Sequence, residues 1–275
     1  MAESTDIWYL YGVVPATFEM AHAPEGVDDL AVERCVDGSV AALFSRLDGE
    51  RYAPAAIERG TEDVEWLAPR AVAHDRVLTW ASDKGAVVPL PIFSLFSGEA
   101  AARAMLRERR DQLDAALRRA ATGREYALRI YRIDSELGAV ATELSPKLAQ
   151  LQEAASAANP GQRYLLERKL DAERKSELHL IGARIARDVV DTLRPYAIEM
   201  VESRVATRTQ RGGADAALIL DAAFLIESGG LLRFQRELTD IVARHNSRGF
   251  RFDFTGPWPL YHFVRDDEGH VADDA

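Results

Sequence analysis

Apolar positions recur along the chain with two periods, and the changes of period mark its elements. Ile7 to Val14 is a near-continuous aromatic and β-branched run closed by Pro15, which predicts a strand. Ala31–Val36 and Val40–Leu47 predict two more, joined at Asp37-Gly38, a hairpin turn signal. Thr61 is placed to cap a helix with Glu62 and Asp63 in its first turn. The apolar positions of that helix are Val64, Leu67, Ala71 and Leu78, with His74 filling the one gap, and Pro69 should kink it or mark its true start. Ala86–Pro91 is restricted by its prolines to a short edge strand or extended segment. A helix is predicted from Ser97 to about Ala121, with Met105, Leu106, Leu113 and Leu117 on one side and arginines on the other. Gly123 stops it, and Tyr126–Tyr131 reads as a strand.

The second half opens with a helical stretch from about Leu137 to Ala158, closed by Asn159-Pro160-Gly161. A long helix then runs from about Gln162 towards Arg194, with Leu178, Ile181, Ile185, Val189 and Leu193 as its apolar stripe. Tyr196–Val205 is open between helix and strand, and Gln210–Gly213 is a loop. Ala217–Ile226 has the length and apolarity of a buried strand, although periodicity alone does not exclude a buried helix. Leu231–Asn246 is an amphipathic helix and Phe250–Phe254 alternates as a half-buried strand. Thr255 to Val264 then brackets Trp258 with Pro257 and Pro259, which excludes a helix or an interior strand and predicts an extended connector. Its Trp, Tyr and Phe side chains predict that it is pinned to the protein body.

The expected fold class is α+β with two domains. Residues 1–122 form an N-terminal α+β domain, and residues 123–255 a C-terminal one. The second has the strand and helix order of a modified ferredoxin-like αβ-sandwich with an extended helical insertion. Residues 256–275 form a tail that packs against the domains, with a mobile acidic end.

Composition narrows the function. The 275 residues carry a formal charge of −10 and a pI near 5.2, so nucleic acid is not an expected partner. With 47% hydrophobic and 28% charged residues, the chain belongs among folded proteins. No apolar run reaches the length of a membrane span, and residues 1–15 lack the pattern of a signal peptide. The single Cys35 excludes an internal disulfide and fits a reducing compartment, so a cytoplasmic location is expected.

Motifs of catalysis are sparse. Neither nucleotide-binding glycine fingerprint occurs, no Gly-x-Ser-x-Gly elbow occurs, and no two histidines stand at helical metal-ligand spacing. No cofactor, metal site or catalytic residue is assigned. His74, on the apolar side of its helix, is either a core histidine held by a hydrogen bond or the general base of a small-molecule enzyme with its site in an inter-domain cleft. Cys35 reads as a small strand residue and the acidic end, Asp266 to Asp274, as solvated.

Two groups are candidates for binding a partner. Arg103, Arg107, Arg110 and Arg118, with Arg109, Arg119 and Arg124 beside them, make a local basic face in an acidic chain. It is either a dock for an acidic surface or a solvated face bridged to Glu99, Glu108 and Asp111. Trp258, Tyr261 and Phe263 are either a partner hot spot or an aromatic cluster packed on their own protein.

Thr255-Gly256-Pro257-Trp258-Pro259-Leu260-Tyr261-His262-Phe263 resembles the C-terminal Gly-Pro-Trp-Pro-Pro-Tyr-x-Phe signature of the gas vesicle GvpL/GvpF family. It departs at Leu260, where a third proline is usual, and at His262. Other landmarks follow in the family's order. Tyr9–Val14 is similar to its first strand, and Trp66-Leu67 with His74 to its first-domain helix. Val87–Leu90 is similar to its Val-Leu-Pro-Leu string, from which Pro91–Ser94 departs. Gly161–Leu166 resembles its Gly-x-x-Tyr-Leu helix start and Asp221–Ile226 its Asn-Ala-Ala-Tyr-Leu-Val strand.

The resemblance implies a non-enzymatic accessory or minor structural protein of gas vesicle assembly. It implies two α+β domains, the second ferredoxin-like, with the C-terminal tail packed between them. The implied partners are the hydrophobic gas vesicle shell protein and other gas vesicle accessory proteins, met in the cytoplasm or at the vesicle. An exposed strand edge, such as Ala86–Leu90, could pair with the shell protein by strand addition.

Overall fold

The structure, a computed structural model, describes residues 6–203 and 216–263. The predicted loop at Gln210–Gly213 and the acidic end beyond Phe263 lie outside the described residues. The chain divides into two compact units. One comprises the residues up to Arg124 together with those from Pro257 onward, and the other Glu125–Gly256.

The first unit is built on β1 (Asp6–Pro15), β2 (Glu33–Asp37), β3 (Val40–Asp48) and β4 (Val88–Phe96), in the sheet order β2-β3-β1-β4. Helices α1 (Pro54–Thr61) and α2 (Val64–Lys84) pack one face through Ile57, Ala73, Val77, Leu78 and Ala81. Helices α3 (Glu99–Glu108) and α4 (Arg110–Thr122) pack the other through Ala102, Leu106, Leu113 and Leu117. Burial on both faces explains the unbroken apolar run of β1. Its odd and even residues serve different layers, Tyr9 and Tyr11 facing α2, Trp8 and Leu10 facing α3 and α4.

A β-bulge interrupts that alternation. Leu10 opposes Phe44 and Gly12 opposes Leu43, so Tyr11 is the extra residue. The parity shifts after it, and Val13 joins the Trp8 and Leu10 layer. Gly12 is required here, because a Cβ would meet Val88 O at 2.8 Å and Leu78 Cδ2 at 2.9 Å.

The second unit takes in β5 (Gly123–Ile133) from Glu125, α5 (Asp134–Leu144), α6 (Pro146–Ala157), α7 (Pro160–Leu193), β6 (Glu199–Glu202), β7 (Ala216–Glu227), α8 (Leu231–His245) and β8 (Phe250–Trp258) as far as Gly256. Its sheet order is β6-β7-β5-β8. Leu128 and Ile130 of β5, with Ala222, Phe224 and Ile226 of β7, meet the predicted α7 stripe from Leu178 to Leu193 and Phe234, Leu238 and Ile241 of α8. The whole is a mixed α+β chain with two antiparallel sheets and eight α-helices among the described residues.

Several boundaries differ from the sequence expectation, each for a local reason. Thr61 ends α1, and Asp63 is the cap of α2, its carboxylate accepting from Glu65 N at 2.9 Å. The helix runs on through Pro69. The helix expected over Ser97–Ala121 is two helices that break at Arg109, where no Gly or Pro signals it. The stretch Leu137–Ala158 is also two, because Pro146 cannot donate and Ser145 recaps, accepting from Leu148 N at 3.2 Å. Within Tyr196–Val205, whose pattern fits helix or strand, residues 199–202 are β6. The last strand continues past Phe254 through Pro257 to Trp258, so the first part of the predicted connector is paired; β8 lies at a sheet edge, where a proline is tolerated.

α2 is anchored by polar contacts as well as packing. The buried Arg70 donates Nε to Tyr52 Oη (2.8 Å), NH1 to Trp66 O (2.8 Å) and NH2 to Asp28 (2.8 Å). Tyr52 in turn donates to Asp28 at 2.8 Å. These bonds hold Asp28 in the left-handed region at φ 53°, a conformation that costs a non-glycine residue energy.

Two substitutions test this frame. Gly12→Ala should lower stability by about 1–3 kcal/mol through overpacking against β4 and α2. Arg70→Met, which strands Asp28 and Tyr52, should cost about 3 kcal/mol. Urea unfolding followed by circular dichroism would measure both, and a change within error for either removes the role given to that residue.

Candidate functional site

The basic face is organised by a residue outside it. Asp37 closes the β2–β3 hairpin and turns its side chain towards α3 and α4, where it is 7% exposed. Arg107 donates to Asp37 Oδ2 from Nε and NH2, both at 2.9 Å. Arg110 donates to Oδ1, and Arg103 NH1 stands 3.6 Å from Oδ2. Desolvation opposes ionisation of this carboxyl, but the hydrogen bonds and charges of Arg107 and Arg110 outweigh it and hold its pKa below the usual carboxylate range. The Arg110 guanidinium lies where a Cβ on Gly38 would be, and Gly38 has φ +63°.

Three of the four candidate arginines therefore meet on one carboxylate. Arg103 also pairs with Glu99 at 2.7 Å, one turn away on the same helix, and donates to Val36 O. Arg107 remains 65% exposed along its side chain despite its bonds. Arg118, about 12 Å further along α4, is exposed. The convergence on Asp37 was not readable, since helix spacing reveals partners three or four residues away and Asp37 is 70 residues from Arg107. The Asp-Gly turn was visible in the sequence, but not the direction of its side chain.

The aromatic candidates separate. Phe263 is 3% exposed and Leu260 2%, so both are core residues. Tyr261 is 41% exposed and donates its hydroxyl to Asp75 of α2 at 3.2 Å. Trp258 is half-buried at the end of β8. Leu260, not among the contact candidates, is as buried as Phe263. Tyr261 and part of Trp258 remain at the surface.

His74 is inside the first unit. Its Nε2–H donates to Leu90 O at 3.2 Å, which leaves Nδ1 to accept from Tyr9 Oη at 2.7 Å. Both ring nitrogens are engaged, and burial pulls the pKa down to about 4. A general base needs a free nitrogen within reach of substrate, and this imidazole offers none. Burial also pushes up the Cys35 thiol, an inert setting for it. Among the described residues no helix is long and apolar enough to cross a membrane.

The sequence profile described as "Gas vesicle synthesis protein GvpL/GvpF" matches residues 7–265. The chain belongs to that family. It is similar to a gas vesicle protein L from a Streptomyces species, at 24% identity over 276 residues covering 99% of each chain. It is also similar to gas vesicle protein L from Haloferax mediterranei, at 26% identity over 88% of this chain and 73% of that protein. Crystal structures of the gas vesicle protein GvpF share its fold. The one from an Anabaena species gives a TM-score of 0.66 at 18% identity, covering 96% of this chain and 98% of that one. The one from Microcystis aeruginosa gives 0.65 at 19%, covering 95% and 99%. Family membership supports a role in gas vesicle assembly. All seven candidate contact residues, from Arg103 to Phe263, fall within the matched span.

The histidine sets a pH dependence. The folded-state pKa of about 4 lies below the ordinary 6.5, so the unfolded chain binds the proton first as pH falls. Stability should decline from about pH 6.5 down to about pH 4, by up to about 3 kcal/mol from this group. Urea unfolding at both ends of that window should show a shallower decline for His74→Gln than for the wild type. Equal declines would mean that His74 is not held neutral.

Proposed function

We propose that this protein is a non-enzymatic accessory or minor structural component of gas vesicle assembly. It binds the hydrophobic shell protein and other accessory proteins in the cytoplasm and at the growing vesicle. The observation that carries the reading is the family match across residues 7–265. A shell protein that polymerises through apolar edges needs a folded partner to cover them before assembly, and a protein with two separate units offers surfaces for more than one contact.

Within this reading, residues 1–122 and 123–255 are two domains and the segment from residue 256 is a tail. The second domain is a ferredoxin-like αβ-sandwich, with α5 and α6 as the helical insertion. Its support is the order strand, helices, strand, strand, helix, strand with the sheet order β6-β7-β5-β8. The contact surfaces are the arginine face, Arg103, Arg107, Arg110 and Arg118, and the C-terminal segment, where Trp258 and Tyr261 reach the surface and the buried Phe263 serves as their anchor. Support for the first is the exposure of Arg107 and Arg118 in a chain of charge −10. For the second it is the exposed ring of Tyr261.

The test is affinity capture of this protein from cells that co-express the shell protein. The wild type should retain shell protein, and the pair Arg107→Gln with Arg118→Gln should retain about fivefold less while remaining folded. Tyr261→Ala examines the second surface in the same way. If shell protein never co-purifies with the wild type, direct binding is wrong.

A further inference from the structure

The first sheet has two edges, and they differ. β4 carries Pro89 and Pro91, which have no N–H to offer. Its pairing with β1 jumps from Ser94 opposite Leu10 to Pro89 opposite Gly12. Phe93, inside that interruption, has φ +62°. A broken edge of this kind does not template a new strand. The Ala86–Leu90 segment suggested by the sequence is therefore the poorer of the two edges for strand addition.

β2 is regular. All five residues pair in unbroken antiparallel register with β3, Glu33 opposite Phe44 through Asp37 opposite Val40, with neither proline nor glycine. Val36 O accepts from Arg103, so Val36 turns its backbone away from β3. Because the ladder alternates, Arg34 turns the same way. The outer side of β2 thus presents the N–H and C=O groups of these two residues. Side chains alternate as well. Cys35 and Asp37 are buried on the α3 and α4 side, whereas Arg34 and Val36 face the opposite side, Val36 being 37% exposed.

A strand added beside β2 would direct every second side chain to the side of the sheet where Arg103, Arg107 and Arg110 gather on Asp37. Arg107 is the most exposed of the three. Arg103 would release Val36 O to the new strand, and its freed N–H would be positioned to receive a carboxylate. We propose that the β2 edge with its arginine cluster is a strand-addition site for an extended partner segment that carries carboxylates at alternate positions. The proposal rests on the reading of the arginine face as a partner surface and adds both how the partner binds and what chemistry it carries. Backbone pairing supplies affinity and the alternate acids supply selection. An acidic segment is otherwise repelled by a chain of charge −10, so its attraction is local to this edge.

Two fluorescein-labelled synthetic nonapeptides serve as probes in anisotropy titrations of the full chain. One alternates Glu with Val or Thr, and the other has Gln in place of each Glu. The Glu peptide should bind at least about tenfold tighter than the Gln peptide at about 0.05 M salt and lose most of that advantage at about 0.5 M. Val36→Pro, which removes an outward N–H and leaves the arginines, should weaken the Glu peptide about tenfold, and Arg107→Gln should weaken it several-fold. Hydrogen exchange reads the edge without a variant: the Arg34 and Val36 amides should gain protection when the Glu peptide is bound.

Three results overturn the site. The first is no preference for the Glu peptide, including no binding of either, in which case the arginines only guard the edge. The second is binding that neither protects those amides nor responds to Val36→Pro, which leaves a charged face without strand addition. The third is a wild-type dimer in sedimentation that Val36→Pro dissolves, which makes the edge a contact between copies. The probes contain no gas vesicle sequence, so this outcome is independent of shell-protein capture. Peptide binding without capture keeps the site and removes direct shell-protein binding, and capture without peptide binding does the reverse.

Discussion

A sheet covered by helices on both faces has no water inside to satisfy a polar atom, so each polar group carried into it must bring a partner. The first unit meets this demand at three tyrosines, with Trp80 Nε1 of α2 left as an exception. Tyr9 joins β1 to His74 of α2, and through that imidazole to Leu90 of β4. Tyr11 donates to Ser45 of β3, accepts from Val27 N at 2.8 Å, and Ser45 passes its own hydrogen to Ala31 O. Tyr52 links Arg70 to Asp28. Each hydroxyl thus ties elements distant in sequence, and the position of α2 follows from polar satisfaction as much as from its apolar stripe.

The same constraint, relaxed at the surface, produces the arginine cluster. Asp37 is pressed against α3 and α4 by the hairpin that carries it, and its burial calls for cations that those helices supply. One carboxylate leaves three guanidiniums with donors to spare. The result is a cationic group held in place in an otherwise acidic chain, beside an open strand edge. At the other end of the chain, apolar demand sorts the segment after β8. Leu260 and Phe263 go inside and Tyr261 stays out, with its hydroxyl on Asp75. Membership of the gas vesicle GvpL/GvpF family supports a role for this chain in gas vesicle assembly.

Short-range pattern accounts for much of the architecture. The five α7 positions from Leu178 to Leu193 are all buried, because a stripe at helical period leaves few alternative packings. β1, the β2–β3 hairpin and β7 were legible from β-branched and aromatic runs between turn residues. Ser145-Pro146 is a readable cap and break inside the helical stretch Leu137–Ala158. The break at Arg109, by contrast, has no local signature. Nor has the four-residue β6, whose Glu and Met residues become a strand only because β7 offers an edge.

Local pattern along the chain carries the class of fold, the main buried faces, the family, and the presence of a basic helix in an acidic chain. These depend on period, composition and motif order, which are properties of neighbours along the chain. Three-dimensional packing fixes that His74 is held on both nitrogens, that Arg103, Arg107 and Arg110 share Asp37, and that β2 is the regular edge of its sheet. The histidine and arginine contacts join residues from 16 to 73 positions apart, across strand register and helix placement. Such distances are set by three-dimensional packing, and no local periodicity encodes them.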